Sequence, residues 1–208
     1  MNRMIDWQSL AISKWQRWFT IAIVLLVGCT VPFDGIPTED TTRYESQMQV
    51  SSAREYLEEA WRLGREWRTD VELKQIRVNF AMTAMLVRST NIDFTFESPS
   101  EDRVRFYVHC LMGTCSGSGV RIPMTSGWGA VDFDEDMIDS DEAALIAIQN
   151  GGAEYVDLPR AFMSLSLLRD SPRSEGSVVW EGYFADGVRK PLYVVIDPYT
   201  GDVLRIDQ

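Results

Sequence analysis

The sequence predicts an α+β protein made of two tandem units, each a helix packed on a small antiparallel β-sheet. Apolar residues recur at three- and four-residue steps in two separate stretches, and each stretch is followed by segments in which apolar and polar residues alternate. Hydrophobic residues make up 45% of the chain and aromatic residues 11%, which is enough to form a core. We expect the two units over residues 51–130 and 131–208.

The first unit begins with a predicted amphipathic helix. Ser52 and Glu55 have the spacing of a capping box, and the apolar positions from Ala53 to Trp67 follow a helical period. The period then changes to two, which predicts half-buried antiparallel strands in the segments that start at Val71, Ile92 and Val104. The segment "FAMTAMLV" predicts one more strand.

The second unit repeats this order. Asp139, with Ser140 or Glu142, predicts the start of a second helix, and Gly151 its end. Alternation predicts strands in "AFMSLSLL", "SVVWEGYF", "PLYVVID" and "DVLRID". The stretches "FYVHCLMGTC" and "LYVVIDPYTG" align, which favours a tandem repeat.

The N-terminal 28 residues have the pattern of an export signal. Basic residues precede an apolar run, Phe19 to Gly28, that is well below the ~20 residues needed to cross ~30 Å of hydrocarbon. We expect a signal peptide or an uncleaved signal-anchor over residues 1–28, with an ordinary buried helix as the alternative. Residues 29–50 contain Pro32, Gly35 and Pro37 among polar residues, which predicts a flexible tether.

Leu26-Val27-Gly28-Cys29 resembles the lipobox of bacterial lipoproteins, in which a signal peptidase cuts before the cysteine and lipid is attached to its sulfur. The resemblance implies that Cys29 is the lipid attachment site and the mature N-terminus. It places the chain in the bacterial cell envelope, anchored to a membrane with the soluble part outside the cytoplasm. An uncleaved anchor would give the same location.

The second half carries a further resemblance. "DSDEAALIAIQNGG", "VVWEGYF" and "LYVVIDPYTGDVLRID" are similar to PepSY-type domains, which are small extracytoplasmic modules often found in lipoproteins and peptidase propeptides. The resemblance covers roughly Ile138 to Asp207, and "IDPYTGDV" is its most telling part. It implies binding, inhibition or sensing more than catalysis. A D-P-x-T-G turn also occurs in hairpins generally, with Gly201 in a left-handed conformation.

Cys110 and Cys115 flank four residues of a predicted hairpin, where they would face each other across two strands. An exported domain favours a disulfide between them, with free thiols as the alternative. The spacing is not the C-x-x-C of redox enzymes, and strand alternation puts His109 on the face opposite Cys110.

The sequence has few other residues or motifs that suggest catalysis or metal binding. His109 is the single histidine, and the sequence contains neither G-x-S-x-G nor a Walker A motif. Asp132, Asp134 and Asp136 match the first positions of a calcium loop, but Met137 stands where its turn glycine belongs and Ala143 where its bidentate glutamate belongs. We therefore expect a solvated acidic linker, no metal site, no cofactor and no catalytic set.

The formal charge of −11 makes nucleic acid an improbable partner, because such a surface repels phosphates. The partners that we expect are the membrane, through the N-terminus, and an envelope protein or peptide. The predicted function is a membrane-tethered extracytoplasmic binding or regulatory module. The alternatives are an extracytoplasmic enzyme that uses carboxylates such as Glu181 and Asp197 in a cleft between the repeats, and a structural envelope protein.

Overall fold

The structure is a computed structural model, and it describes residues 48–83, 86–101, 103–123, 127–156 and 158–208. The predicted export signal, the lipid attachment site Cys29 and most of the predicted tether lie outside the described residues. Among the helices that are described, none is long and apolar enough to cross a membrane.

Strands dominate the described chain. The strands are β1 (Met48–Gln49), β2 (Glu72–Thr83), β3 (Leu86–Glu97), β4 (Val104–Leu111), β5 (Thr114–Arg121), β6 (Phe162–Arg169), β7 (Val178–Ala185), β8 (Leu192–Ile196) and β9 (Val203–Asp207). The helices are α1 (Arg54–Trp67), α2 (Ser140–Ala147) and α3 (Ala153–Val156), and a π-helical turn, Ile148–Gly152, joins the last two.

All nine strands belong to one sheet, so the prediction of two units with separate sheets is wrong. The order along the sheet is β5-β4-β3-β2-β6-β7-β8-β9, and β1 pairs in parallel with β3. At the centre, β2 and β6 pair in antiparallel fashion from Gln75↔Leu168 to Ala81↔Phe162. Alternation in the sequence shows which side chains share a face, but not which strand takes the free edge of another. The pairing of β6 with the free edge of β2 joins the two halves of the chain in one sheet.

The helices lie on one face of this sheet. Gly64 of α1 sits against the ring of Phe96, and Ala147 of α2 sits against Gly182, where an added Cβ would lie 2.9 Å from the alanine Cβ. The strand registers place Phe96 and Gly182 on the same face. The core therefore forms between the helices and this face, with Trp180, Phe94, Phe96 and Phe184 as its largest fully buried side chains.

Several local predictions need correction. Ser52 does not cap α1 with a capping box: its hydroxyl donates to the Asp139 carboxylate, and the N-cap residue Ala53 has no side-chain bond. "FAMTAMLV" is not one strand, because β2 ends at Thr83 and β3 begins at Leu86.

The acidic linker is only partly solvated. Val131, Phe133 and Met137 are buried, whereas the intervening acidic residues are exposed or half-buried. Asp139 caps α2 as predicted, through a bond from the Ser140 amide.

Candidate functional site

The hairpin of β4 and β5 turns through only two residues, Met112 and Gly113. Their φ angles are 50° and 82°, so both are left-handed, as a type I′ turn requires. Leu111 pairs directly with Thr114, and the loop is shorter than the four residues expected. Glycine adopts this conformation freely. In Met112 the Cβ atom comes close to the following carbonyl oxygen, so the left-handed conformation is less favourable there.

Cys110 and Cys115 face each other immediately behind the turn. Their Sγ atoms lie 2.05 Å apart, the distance of a disulfide bond, and their Cα atoms are 4.1 Å apart. Such a short Cα separation is typical of a non-hydrogen-bonded antiparallel pair, in which the backbone groups of both residues point away from the partner strand. The cysteines therefore identify which β5 residues present their amides to the outer edge.

Those outward residues are Cys115, Gly117, Gly119 and Arg121, since the direction of the backbone groups alternates along a strand. Within the part of the chain that the structure describes, β5 pairs only with β4, and it ends the sheet. Each outward residue therefore offers one N–H donor and one C=O acceptor to another chain. This row is the binding edge of β5.

Gly117 keeps β5 close to the aromatic residues below it. A Cβ on Gly117 would lie 2.3 Å from Cζ of Phe106, so glycine is required there. The Phe106 ring stacks on Trp67 from the end of α1, with ring centroids 5.1 Å apart and planes 5° from parallel. The binding edge thus lies over a rigid pair of rings.

The binding edge has few of the features that usually protect an edge strand, since Arg121 at its end is its one charged residue. Natural edge strands carry charges, prolines or bulges that prevent a further strand from pairing. From Cys115 to Val120 the sequence "CSGSGV" has neither charge nor proline, and the β4–β5 register has no shift. The opposite edge, β9, is shorter, carries Arg205 and Asp207, and has a register shift.

A groove of about 730 Å³ lies beside the hairpin tip. It is bordered by β1, by Ser89 to Asn91 of β3, and by Leu111 and Met112. Among the described residues, β1 pairs with β3 only at Val87 and Arg88, and β4 pairs with β3 only from Ile92 onward, so Ser89 to Asn91 lie between the two pairings.

His109 is exposed on the face opposite the helices, as strand alternation predicted. Its Nδ1 atom lies 2.5 Å from Oδ1 of Asp93, and Oδ2 of the same carboxylate accepts hydrogen bonds from the side-chain amides of Asn79 and Asn91. Ser116 stands directly across from His109 on β5. This row lies on an open sheet face, whereas a nucleophilic serine works in an enclosed site with oxyanion donors.

The other carboxylates considered from the sequence have local partners. Asp197 accepts the amides of Tyr199 and Thr200 and so shapes the β8–β9 turn, where Gly201 is left-handed with φ 75°. Glu181 accepts a bond from Ser171 and pairs with Arg173 at 3.5 Å.

Within the acidic run before α2, the Asp134 side chain accepts hydrogen bonds from the backbone amide of Asp136 and from the Tyr199 hydroxyl. Across the described ranges, no group of three or more His, Cys, Asp or Glu side chains is arranged to hold a metal.

The sequence placed Cys110 and Cys115 opposite each other on the two strands of a hairpin, but apolar alternation did not reveal the extent of β5. Serine and glycine have low strand propensity, and this segment has no apolar alternation to reveal it. The available signal was the cysteine pair itself, because two facing cysteines require a second strand after the turn.

No family model, curated protein or solved structure matches this chain.

Proposed function

We propose that this chain is a membrane-tethered binding module outside the cytoplasm, and that it captures an extended segment of an envelope protein as an added strand on β5. The observation that carries the proposal is the binding edge, with its outward backbone groups at Cys115, Gly117, Gly119 and Arg121. Strand addition uses main-chain hydrogen bonds for affinity and side-chain contacts for specificity.

The geometry of the hairpin supports capture by a rigid edge. The disulfide and the two-residue turn fix the two strands at one end, and the Trp67–Phe106 stack supports them from below. A preformed edge loses little conformational entropy when a peptide binds. Apart from Arg121 at its end, the binding edge has small residues, Cys115, Gly117 and Gly119, which leave room for the side chains of the incoming strand.

The two resemblances in the sequence agree with this proposal. The lipobox-like LVGC favours a location at a membrane, and the PepSY-type pattern of the second half implies binding, inhibition or sensing. The partner that fits the edge is a neutral or basic peptide segment, because the chain carries a formal charge of −11.

The test is selection from a displayed library of random octapeptides with the full chain. We expect binders whose affinity falls at least tenfold in Gly119→Pro, because proline removes an outward N–H and leaves the β4 ladder intact. Gly119→Ala is the matched control and keeps affinity, since its Cβ would lie 3.7 Å from the nearest atom, on Val104.

A second variant tests the binding edge in case Gly119→Pro does not fold. Gly119→Lys keeps the N–H but places a charge on the edge, and it also weakens binding. Bound peptide should slow amide exchange at Cys115, Gly117 and Gly119. The proposal is wrong if the library yields no binders, if both variants bind normally, or if β5 only pairs with a second copy of itself.

A further inference from the structure

One end of the sheet displays exposed apolar side chains on two turns and at the ends of two strands. This end, here named the tip end, contains the β2–β3, β4–β5 and β7–β8 connections and the start of β6, because neighbouring strands run antiparallel. Four apolar side chains are exposed there: Leu111 by 46%, Met112 by 79%, Phe162 by 47% and Val188 by 90%. They are spread along the end from β4 to β8.

Two turns with defined backbone geometry position Met112 and Val188. Met112 sits in the type I′ turn in front of the disulfide. Val188 lies in a turn organised by Asp186, whose Oδ1 accepts the amides of Val188 and Arg189, each at 2.8 Å. Those backbone bonds lower the pKa of Asp186, so the carboxylate stays charged at neutral pH. The conformations of the two turns therefore keep the side chains of Met112 and Val188 exposed.

The charge of the chain is distributed unevenly between the two ends. The tip end carries Arg88, Arg160, Arg189 and Lys190. Its carboxylates include Glu154, Asp186 and Asp207, and the last two are paired with Arg189 and Arg205.

At the opposite end, carboxylates outnumber basic side chains. They lie in the β3–β4, β6–β7 and β8–β9 connections and in the segments before β2 and α2, and they include Asp70, Glu101, Asp132, Asp170, Asp197 and Asp202. Of the two ends, the tip end meets less like-charge repulsion from an anionic surface.

The chain enters the described part of the structure at the tip end. Met48 pairs with Val87, one residue after β3 begins, and β1 runs parallel to β3. The predicted lipid attachment site, Cys29, lies upstream of Met48 in the sequence, with the predicted tether between them. This step rests on the tether of the proposed function, and it brings the tip end, rather than the acidic end, near the bilayer.

We propose that the tip end is a membrane-docking surface for an anionic bilayer. Met112, Phe162 and Val188 enter the headgroup region, while Arg88, Arg160 and Lys190 contact lipid phosphates. The strands then stand away from the membrane plane, and the binding edge of β5 remains open at the side of the sheet. A segment emerging from the same membrane could pair with it there.

The test is amide hydrogen exchange of the full chain in nanodiscs of phosphatidylglycerol and phosphatidylethanolamine, compared with nanodiscs of phosphatidylcholine. We expect exchange in residues 111–114 and 186–191 to be at least fivefold slower on the anionic discs. The acidic-end turns at residues 98–101 and 198–202 serve as internal controls and should exchange equally on both.

Variants separate docking from simple proximity. Met112→Asp and Val188→Asp should abolish the protection, and aspartate tolerates the left-handed conformation at position 112. Leu204→Asp is the matched control, because it changes a residue 56% exposed near the acidic end of β9, and it should leave the protection unchanged.

Different results overturn this inference and the proposed function. Membrane docking is wrong if, on the anionic discs, the tip-end turns are protected no more than the acidic-end turns. It is also wrong if the protection survives Met112→Asp and Val188→Asp, even if octapeptides still bind β5. If the tip-end turns are protected but the chain selects no peptides, strand capture by β5 is wrong and membrane docking stands. A chain that does not associate with nanodiscs overturns both the tether and the docking surface.

Discussion

Arg54 and Asp139 bond to each other although 85 positions separate them in the chain. The Arg54 amide at the start of α1 donates to Oδ2 of Asp139 at 3.4 Å, and the arginine Nε lies 3.8 Å from the same oxygen. Oδ1 of Asp139 accepts the amides of Ala53 at 3.1 Å and of Ser140 at 2.6 Å. One carboxylate therefore caps the N-termini of both α1 and α2.

This double cap predicts a large effect of Asp139→Ala. Loss of one N-cap typically costs about 1 kcal/mol, so we expect the free energy of unfolding to fall by about 2 kcal/mol. Urea unfolding of the full chain measures it. Asp141→Ala is the control, since that exposed side chain serves only α2, and it should cost about 0.5 kcal/mol or less. Equal losses in both variants would contradict the double cap.

Gly117 and Gly119 make a matched pair for the packing beneath β5. Gly117→Ala places a Cβ 2.3 Å from the Phe106 ring, and the stacked Trp67 limits how far that ring can move. We expect a loss of about 1–3 kcal/mol in the free energy of unfolding. Gly119→Ala meets nothing closer than 3.7 Å and should change stability little. A similar effect of both substitutions would show that Phe106 moves freely.

The bond between Cys110 and Cys115 should stabilise the fold modestly. The ring that it closes is short, with a sequence separation of 5, so the chain-entropy model gives about 2 kcal/mol. Unfolding of the full chain with and without dithiothreitol measures this difference. The variant Cys110→Ala with Cys115→Ala should give the same stability under both conditions. An effect of dithiothreitol that persists in this variant would have to arise elsewhere.

Asp70 should contribute to the acid sensitivity of the fold. Ser98 Oγ donates to its carboxylate at 2.6 Å and the Ser100 amide donates at 3.1 Å, and these bonds lower the pKa of Asp70 below its ordinary 3.8. Because the pKa is lower in the folded state, this contribution is complete above about pH 3.8 and is lost as the pH falls through the folded value.

Equilibrium unfolding between about pH 2 and 6 tests this sign. Stability of the unchanged chain should fall more steeply below pH 3.8 than that of Asp70→Asn. Ser98→Ala removes the largest cause of the shift and should also flatten the curve. An identical pH dependence in all three chains would assign the acid sensitivity to other carboxylates.

Local pattern predicted most of the individual elements. The helical period from Ala53 to Trp67 and the alternation around Phe94, Val108 and Val194 gave α1 and several strands, because side-chain direction within one element depends only on nearby residues. Apolar alternation did not reveal β5, whose glycines and serines carry none, and only the cysteine pair predicted a strand after the turn. It also assigned the cap of α1 to Ser52, although the acceptor comes from Asp139, far along the chain.

By itself the sequence determined most of the segments that form helices and strands, where the facing cysteines lie, and that the chain carries a strong negative charge. Tertiary structure decided that β2 and β6 join all strands into one sheet and that one carboxylate caps two helices. It also decided that the exposed apolar tips and their basic neighbours share one end. These features depend on contacts between distant residues, and a local period specifies a face but not a partner.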